Sequence, residues 1–216
     1  MRVNIRQASA TLLGLALLCL AASLPAAAAI DIVGNTSNSA TGTALAKGNV
    51  YRVDTSTTLL QQEFRLNFTT SQTLIFSVYA SPVEFGTFTQ IQTNSVAVTG
   101  TGLDWYSSGP INVPLTVGNF YLTSVSWSGT LTYFFGTGDQ QAVSFGAQVH
   151  GFATGTNPLG PTVVSTVNDQ AIYNQRVTTG AGPAGVIPEP GTVALLATGL
   201  LPLAGAVVRK RRSLRA

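Results

Sequence analysis

The amino-acid sequence predicts an all-β protein: an antiparallel β-sandwich or jelly-roll-like domain over residues 30–178, flanked by an N-terminal signal peptide and a C-terminal transmembrane helix. Residues 30–187 contain 25 Thr and 14 Ser among many Val, Phe and Tyr, and helix-forming residues are scarce. Threonine, valine and aromatic residues suit a pleated sheet. About ten short strands, separated by turns and not by helices, favour packed antiparallel layers.

The individual strands are predicted from alternation and turn chemistry. Alternation of apolar and polar residues is clearest at 63–69, 74–79 and 142–149. Further strands are predicted at 50–54, 85–92, 95–98, 120–127, 130–135, 162–167 and 171–178. Turns rich in Gly, Ser, Asp or Pro are predicted at 100–102, 108–110, 128–129, 136–139 and 151–161. Residues 127–130, Trp-Ser-Gly-Thr, predict a tight hairpin, and the polar run 36–43 predicts a surface loop.

Charge and cysteine usage exclude several kinds of function for the domain. The chain has a formal net charge of +3, but seven of its 11 basic residues lie near the two ends. Residues 30–187 keep four bases against seven acids, a net charge of −3, which disfavours binding to nucleic acid. The single cysteine, Cys19, precedes the domain. A disulfide, a thiolate metal site and a cysteine nucleophile are therefore excluded there.

The first 29 residues predict a removable secretory signal peptide. Residues 1–7 carry two arginines and no acid, 12–20 are apolar, and 26–29 are alanines. These are the charged, apolar and small-residue regions of such a signal, so we expect passage through the secretion translocon and cleavage by signal peptidase after Ala28 or Ala29. An uncleaved anchor is the alternative, but the apolar run is short for a membrane span.

A second apolar segment, residues 191–208, predicts a transmembrane helix. Its 18 residues carry no charge. At about 1.5 Å per residue they would measure about 27 Å, close to the hydrocarbon thickness of a bilayer. A basic cluster follows at once, formed by Arg209, Lys210, Arg211 and Arg212. Such a cluster stays in the cytoplasm, so the domain is expected on the other side of the membrane.

A proline-rich motif, Pro188-Glu189-Pro190, stands directly before this span and follows a flexible linker over residues 179–187. The two prolines keep the motif extended and hold a carboxylate at the membrane surface. The motif, the span and the basic cluster, in that order over residues 188–216, resemble the PEP-CTERM sorting signal. The resemblance implies recognition by an exosortase, a membrane protease or transpeptidase that would cut near the motif. A plain single-span anchor is the alternative.

No catalytic, metal or cofactor site is predicted in the domain. His150 is the only histidine, and no Gly-x-Ser-x-Gly elbow accompanies it. The acids do not have the spacing of a calcium loop. Two carboxylates among Glu63, Glu84 and Asp104 would suit a glycosidase if the fold brought them together, and that alternative stays open.

The function we expect is therefore inferred from where the protein is expected to be delivered. The resemblance implies a non-enzymatic, exported cell-surface or extracellular-matrix protein, structural or adhesive in an exopolysaccharide or biofilm context. One alternative is a secreted carbohydrate-binding module, because Trp105 and Tyr106, expected in a loop, offer aromatic rings that can stack on sugars. The alternative, purely structural interpretation of these rings is that they cover the end of the sandwich. A secreted hydrolase is the other alternative.

Overall fold

The computed structural model describes residues 28–138, 140–165 and 170–180, and these residues form an all-β, antiparallel fold. They contain thirteen strands and no helix. The strands are β1 (Ala29–Val33), β2 (Asn38–Val53), β3 (Thr57–Phe68), β4 (Ser71–Ser81), β5 (Gly86–Thr99), β6 (Gly102–Ser107), β7 (Val113–Leu115), β8 (Phe120–Thr137), β9 (Gln141–Val143), β10 (Gly146–Thr154), β11 (Thr162–Ser165), β12 (Ala171–Tyr173) and β13 (Gln175–Gly180).

These strands form one hydrogen-bonded sheet. Its main path runs β1-β13-β3-β8-β2-β10-β9. β4 also pairs with β8, β5 pairs with β4, and β11 pairs with β5. β6 and β7 pair with β3, and β12 pairs with the end of β8. The alternating runs predicted at 63–69 and 74–79 lie in β3 and β4, apart from Thr69, so those two strand predictions are confirmed.

β8 is the central strand of the sheet, and it corrects the predicted hairpin. Ser128 and Gly129, predicted as its turn, lie inside this 18-residue strand. Opposite them β2 has the single residue Ala44, with φ at 55°, between the ladder residues Thr43 and Leu45. The unequal count is a β-bulge, which bends two paired strands without reversing either. Ser-Gly suits a bulge as well as a turn, so the local sequence did not decide between them.

β2 begins earlier than the sequence predicted. The polar run 36–43, predicted as a surface loop, is mostly strand because β2 starts at Asn38. The hydroxyl of Thr41 lies 2.9 Å from that of Thr132 on β8. Cross-strand threonine pairs stabilise a sheet. Small polar residues therefore extend β2 over a segment in which no alternation of apolar residues predicted a strand.

The predicted strand 142–149 is in fact two strands. β9 ends at Val143 and β10 starts at Gly146, and these two residues pair with each other. Gly146 has φ at 156°, and a Cβ on it would clash with the carbonyl oxygen of Arg52, so the reversal requires glycine. Phe145 in the turn is buried in the core. The buried Phe145 continues the alternation of apolar and polar residues through the turn.

The two ends of the described domain lie side by side. Ala29, the first residue of β1, pairs with Thr179 of β13. β13 extends to Gly180, so the sheet ends two residues later than the predicted domain boundary at 178 and includes the first two residues assigned to the linker. Asp31 accepts hydrogen bonds from the backbone N–H of Ser144 at 2.9 Å and from its hydroxyl at 2.6 Å. The first strand is thereby fastened to the β9–β10 turn.

Two arms extend from β8: one contains β4, β5 and β11, and the other contains β3, β13 and β1. Apolar side chains from both arms meet in the interior of the sheet. One cluster packs Val78 of β4 with Leu59 of β3 and Val177 of β13. A second contains Trp127, which is fully buried and donates its indole N–H to the carbonyl of Gly42 at 3.1 Å. A third cluster draws its residues from β2, β4, β5, β8, β10 and β11. Strands distant in the sequence therefore pack together in each of these clusters.

The interior also contains a hydrogen-bonded polar network centred on Gln175. The side-chain oxygen of Gln175 accepts hydrogen bonds from Asn49 Nδ2 at 2.9 Å and from the hydroxyl of Tyr51 at 2.8 Å. Its Nε2 donates to Thr123 Oγ1 at 2.8 Å and to Gln62 Oε1 at 3.4 Å. Burial raises the pKa of Tyr51, which keeps its hydroxyl a neutral donor. The network joins β13 to β2, β8 and β3.

Gly48 offers a test of how closely β2 and β8 pack. A Cβ on Gly48 would clash with the carbonyl oxygen of Thr123. We expect Gly48→Ala to force the two strands apart and to lower the free energy of unfolding by about 2 kcal/mol or more. Gly155→Ala is the matched control, because a Cβ there meets nothing within 4 Å. Denaturant unfolding of both variants measures the difference, and equal stabilities would contradict this packing.

Candidate functional site

The outer face of β1, β13, β3 and β6 brings charged, aromatic and apolar side chains together. Ile32 pairs with Arg176, Arg176 pairs with Glu63, and Arg65 pairs with Trp105. Directly paired residues, and residues two apart on one strand, project from the same face of a sheet. These five side chains therefore share one face, called the Trp105 face below.

Trp105 and Tyr106 lie in strand β6 and not in a loop. Neighbouring residues of a strand project to opposite faces, and only Trp105, which is half-buried, remains in reach of a ligand. Tyr106 is 7% exposed, stacks on Phe68 with ring centroids 4.4 Å apart, and donates its hydroxyl to the carbonyl of Gly102 at 2.9 Å. The prediction that Tyr106 can stack on sugars is wrong, because its ring belongs to the core.

Two guanidinium groups flank the indole of Trp105. The Cζ atom of Arg176 lies 5.0 Å from the ring centroid and that of Arg65 lies 5.5 Å from it. Arg65 is on the neighbouring strand and Arg176 is one strand further, so the indole leans across β3. Cation–π contacts of this kind hold an aromatic ring in place. They also put positive charge beside it.

Each arginine also faces an acid, but the two pairs differ. Arg176 donates through Nε and a terminal nitrogen to both carboxylate oxygens of Glu63, which is 7% exposed. These hydrogen bonds raise the pKa of the Arg176 guanidinium and hold it charged. A terminal nitrogen of Arg65 lies 3.9 Å from a carboxylate oxygen of the exposed Asp104, which is beyond hydrogen-bond distance. Of the two arginines, Arg65 is the one better able to bind an outside anion.

Exposed apolar side chains border these charges. Ile30 and Ile32 project from β1, and Leu103 projects from β6. Leu103 pairs with Asn67 of β3, which extends the same face beyond Trp105. Apolar side chains mixed with cations on an open sheet face are typical of an interaction surface.

His150 lies on β10, outside the Trp105 face. Its ring is buried, stacks on Phe85 at 5.0 Å, and places Nδ1 2.9 Å from the carbonyl oxygen of Gly151. Within the described residues, Nε2 of His150 has no hydrogen-bond partner. No group of three or more His, Cys, Asp or Glu side chains in that same part of the chain is arranged to hold a metal ion.

The predicted sorting signal lies outside the described residues. This applies to the motif Pro188, Glu189 and Pro190, to the span 191–208, and to the basic cluster of Arg209, Lys210, Arg211 and Arg212. In the part of the chain that is described, no helix has the length and apolar character needed to cross a membrane. Of the two predicted cleavage positions, Ala28 precedes β1 and Ala29 begins it.

Sequence reasoning missed the arginines that surround Trp105. The alternation in β3 puts Glu63 and Arg65 on one face, and this much could have been inferred from the local sequence. Arg176 lies 113 residues from Glu63 along the chain and reaches it only because β13 pairs with β3. No pattern within either segment announces that pairing.

Comparison with known proteins finds no protein-family model that matches this sequence and no curated protein with significant similarity to it. The Trp105 face is therefore interpreted from its own geometry.

The Arg176–Glu63 pair can be tested by removing one partner. Arg176→Met leaves the poorly exposed carboxylate of Glu63 without its partner. Since Arg176 itself is 31% exposed, we expect a loss of about 2 kcal/mol of stability, less than for a fully buried pair. The double variant Glu63→Gln with Arg176→Met should recover part of that loss. Arg52→Met, which breaks an exposed pair with Asp54, is the control and should barely change the melting temperature. Equal melting temperatures for Arg176→Met and Arg52→Met would refute a special role for the Arg176–Glu63 pair.

Proposed function

We propose that this chain is an exported cell-surface or extracellular-matrix protein that is sorted by exosortase and has a structural or adhesive role beside exopolysaccharide. The observation that carries the proposal is the combination of a signal peptide with the tail over 188–216. A short proline-rich motif, an uncharged run of 18 residues and a dense basic cluster follow one another there without a gap. The partners this implies are the secretion translocon, signal peptidase, exosortase and, before processing, the membrane.

The domain itself is compatible with such a route. Its chain enters at Ala29 and leaves at Gly180 from neighbouring strands, so one end of the domain serves both junctions. Cleavage after Ala28 would leave β1 whole, whereas cleavage after Ala29 would remove its first pairing with Thr179. We therefore favour Ala28 as the last residue of the signal peptide.

We further infer that the domain is a β-sandwich or jelly-roll-like enclosure. The support is the core, in which side chains of β4 and β8 pack against those of β3 and β13. Long bent strands that contribute to both arms allow one hydrogen-bonded sheet to cover its own apolar face.

Sorting is tested with one tag inserted after the signal peptide cleavage site and a second tag at the C-terminus. We expect the C-terminal tag, placed after residue 216, to be lost from the mature protein in cells with exosortase and retained in cells without it. Glu189→Ala should retain the tag in both strains, because the motif carboxylate is proposed as the recognition group. Arg215→Ala, outside the motif and the basic cluster, is the control. Retention of the tag on the mature protein in exosortase-positive cells would exclude sorting by exosortase. The tail would then be interpreted as a plain single-span anchor.

A second candidate function is binding of acidic polysaccharide at the Trp105 face. The observation in its favour is a half-buried indole with two guanidinium groups within 5.5 Å of its centroid. A sugar ring can stack on an indole, and a uronate carboxylate can accept hydrogen bonds from an arginine fork. Arg65 would supply the fork, since its contact with Asp104 is loose.

Binding is measured by calorimetry of the full chain with polygalacturonate and with dextran. We expect Trp105→Ala to weaken binding of polygalacturonate about tenfold, in keeping with the loss of one stacking contact. Arg65→Gln should abolish the preference for the acidic polymer over the neutral one. Val117→Ala changes an exposed apolar residue outside the face and is the control. Unchanged binding by Trp105→Ala, or no binding by the parent chain, would exclude this second function.

A further inference from the structure

One long edge of the sheet has no partner strand. β5 pairs with β4 along one side as far as Thr99, and along its other side it pairs with β11 only from Gly86 to Thr89. One further backbone bond, at Gln90, continues that second side. Among the described residues, no strand pairs with the outer side of residues 91–99, called the β5 edge below.

Beyond Ile91, the extra residue of a bulge between Gln90 and Gln92, the β5 edge lacks the features that keep edge strands from pairing. Its sequence, Ile-Gln-Thr-Asn-Ser-Val-Ala-Val-Thr, has no charge and no proline, and from Gln92 to Thr99 it pairs with β4 without a bulge. Edge strands are usually protected by lysine, proline, a bulge or short length. β9 and β11, by contrast, are three and four residues long, and the edge strand β1 carries Asp31. An unprotected edge of eight residues, 92–99, is typical of a strand that is covered when the protein functions.

We propose that the β5 edge pairs with the β5 edge of a second copy of this chain, antiparallel, about a two-fold axis at Ser95. In this register Ser95 faces the partner's Ser95, and Thr93 faces the partner's Ala97. Uncharged side chains then meet along the whole edge. Because the contact is isologous, one dimer covers both free edges and the association closes.

The same register covers an exposed apolar side chain. Ile91 is 47% exposed, and the two-fold axis sets it opposite the partner's Thr99. Thr99 lines a groove of about 360 Å³ together with Ala97, Val98 and residues 71–73 of β4. Ile91 of each copy therefore lies beside the groove of the other, and dimer formation removes it from water. This match favours a second copy of the chain over an unrelated strand.

The contact is tested by cysteine cross-linking of the full chain, purified in detergent. A Cys19→Ser background makes the introduced thiol the only one. Paired residues on adjacent antiparallel strands have Cβ atoms about 5 Å apart, so Ser95→Cys should give mostly a reducible dimer under mild oxidation. Thr73→Cys is the matched control: it is also exposed, but it lies on β4, one strand inside the edge. It should give less than about a tenth of that dimer, since its partner residue is not within disulfide reach.

The register is tested by mixing two variants with tags of different size. Thr93→Cys and Ala97→Cys chains should cross-link to each other and not to themselves, because the axis at Ser95 sets residue 93 against the partner's Ala97. A Ser95→Lys variant should weaken dimerisation at least tenfold in sedimentation, and an equimolar mixture with Ser95→Glu should restore it. No Ser95→Cys dimer above the Thr73→Cys level, cross-linking without register preference, or a cross-linked band that contains another polypeptide would each overturn the proposal.

Discussion

The buried side chain of Gln175 determines how the two arms of the sheet meet. Its amide binds Asn49 of β2 and Thr123 of β8, although Gln175 itself belongs to β13. A buried amide is costly unless its hydrogen bonds are made, so these strands pack in the one register that makes them. The next residue, Arg176, projects to the opposite face and there binds Glu63. The interior network therefore also sets the position of the outer charge pair.

The Trp105 face depends on that register. A slip of β13 by one residue would turn Arg176 inward and Gln175 outward, which would bury an unpaired cation and leave the interior amides without partners. The same slip would remove one of the two guanidinium groups from the indole of Trp105. The interior network and the Trp105 face thus stabilise the same arrangement of strands. On a surface with few charges, this arrangement holds the guanidinium group of Arg176 at a defined place.

The domain reaches this closed arrangement without a cysteine, because long strands take the place of covalent links. β2 and β8 have 16 and 18 residues, several times the length of a single pairing partner such as β12. The bulge at Ala44 bends their shared ladder, so that β8 pairs with β4 along one part and with β3 along another. One strand thereby connects both arms, and the apolar side chains between them are buried. A domain built in this way is unaffected by the redox state of its surroundings.

The sequence by itself determined the all-β class and the strands β3 and β4, because alternation along a strand is a local property that burial on one face imposes. The sorting-signal resemblance is equally local, since a linear motif is read without a fold. Only the tertiary structure decided that Ser128 and Gly129 form a bulge, that the ring of Tyr106 is buried, and that Arg176 flanks Trp105. Each of these depends on which distant strand lies alongside, and pairing across 113 residues is chosen by the packing and hydrogen bonding of the whole sheet.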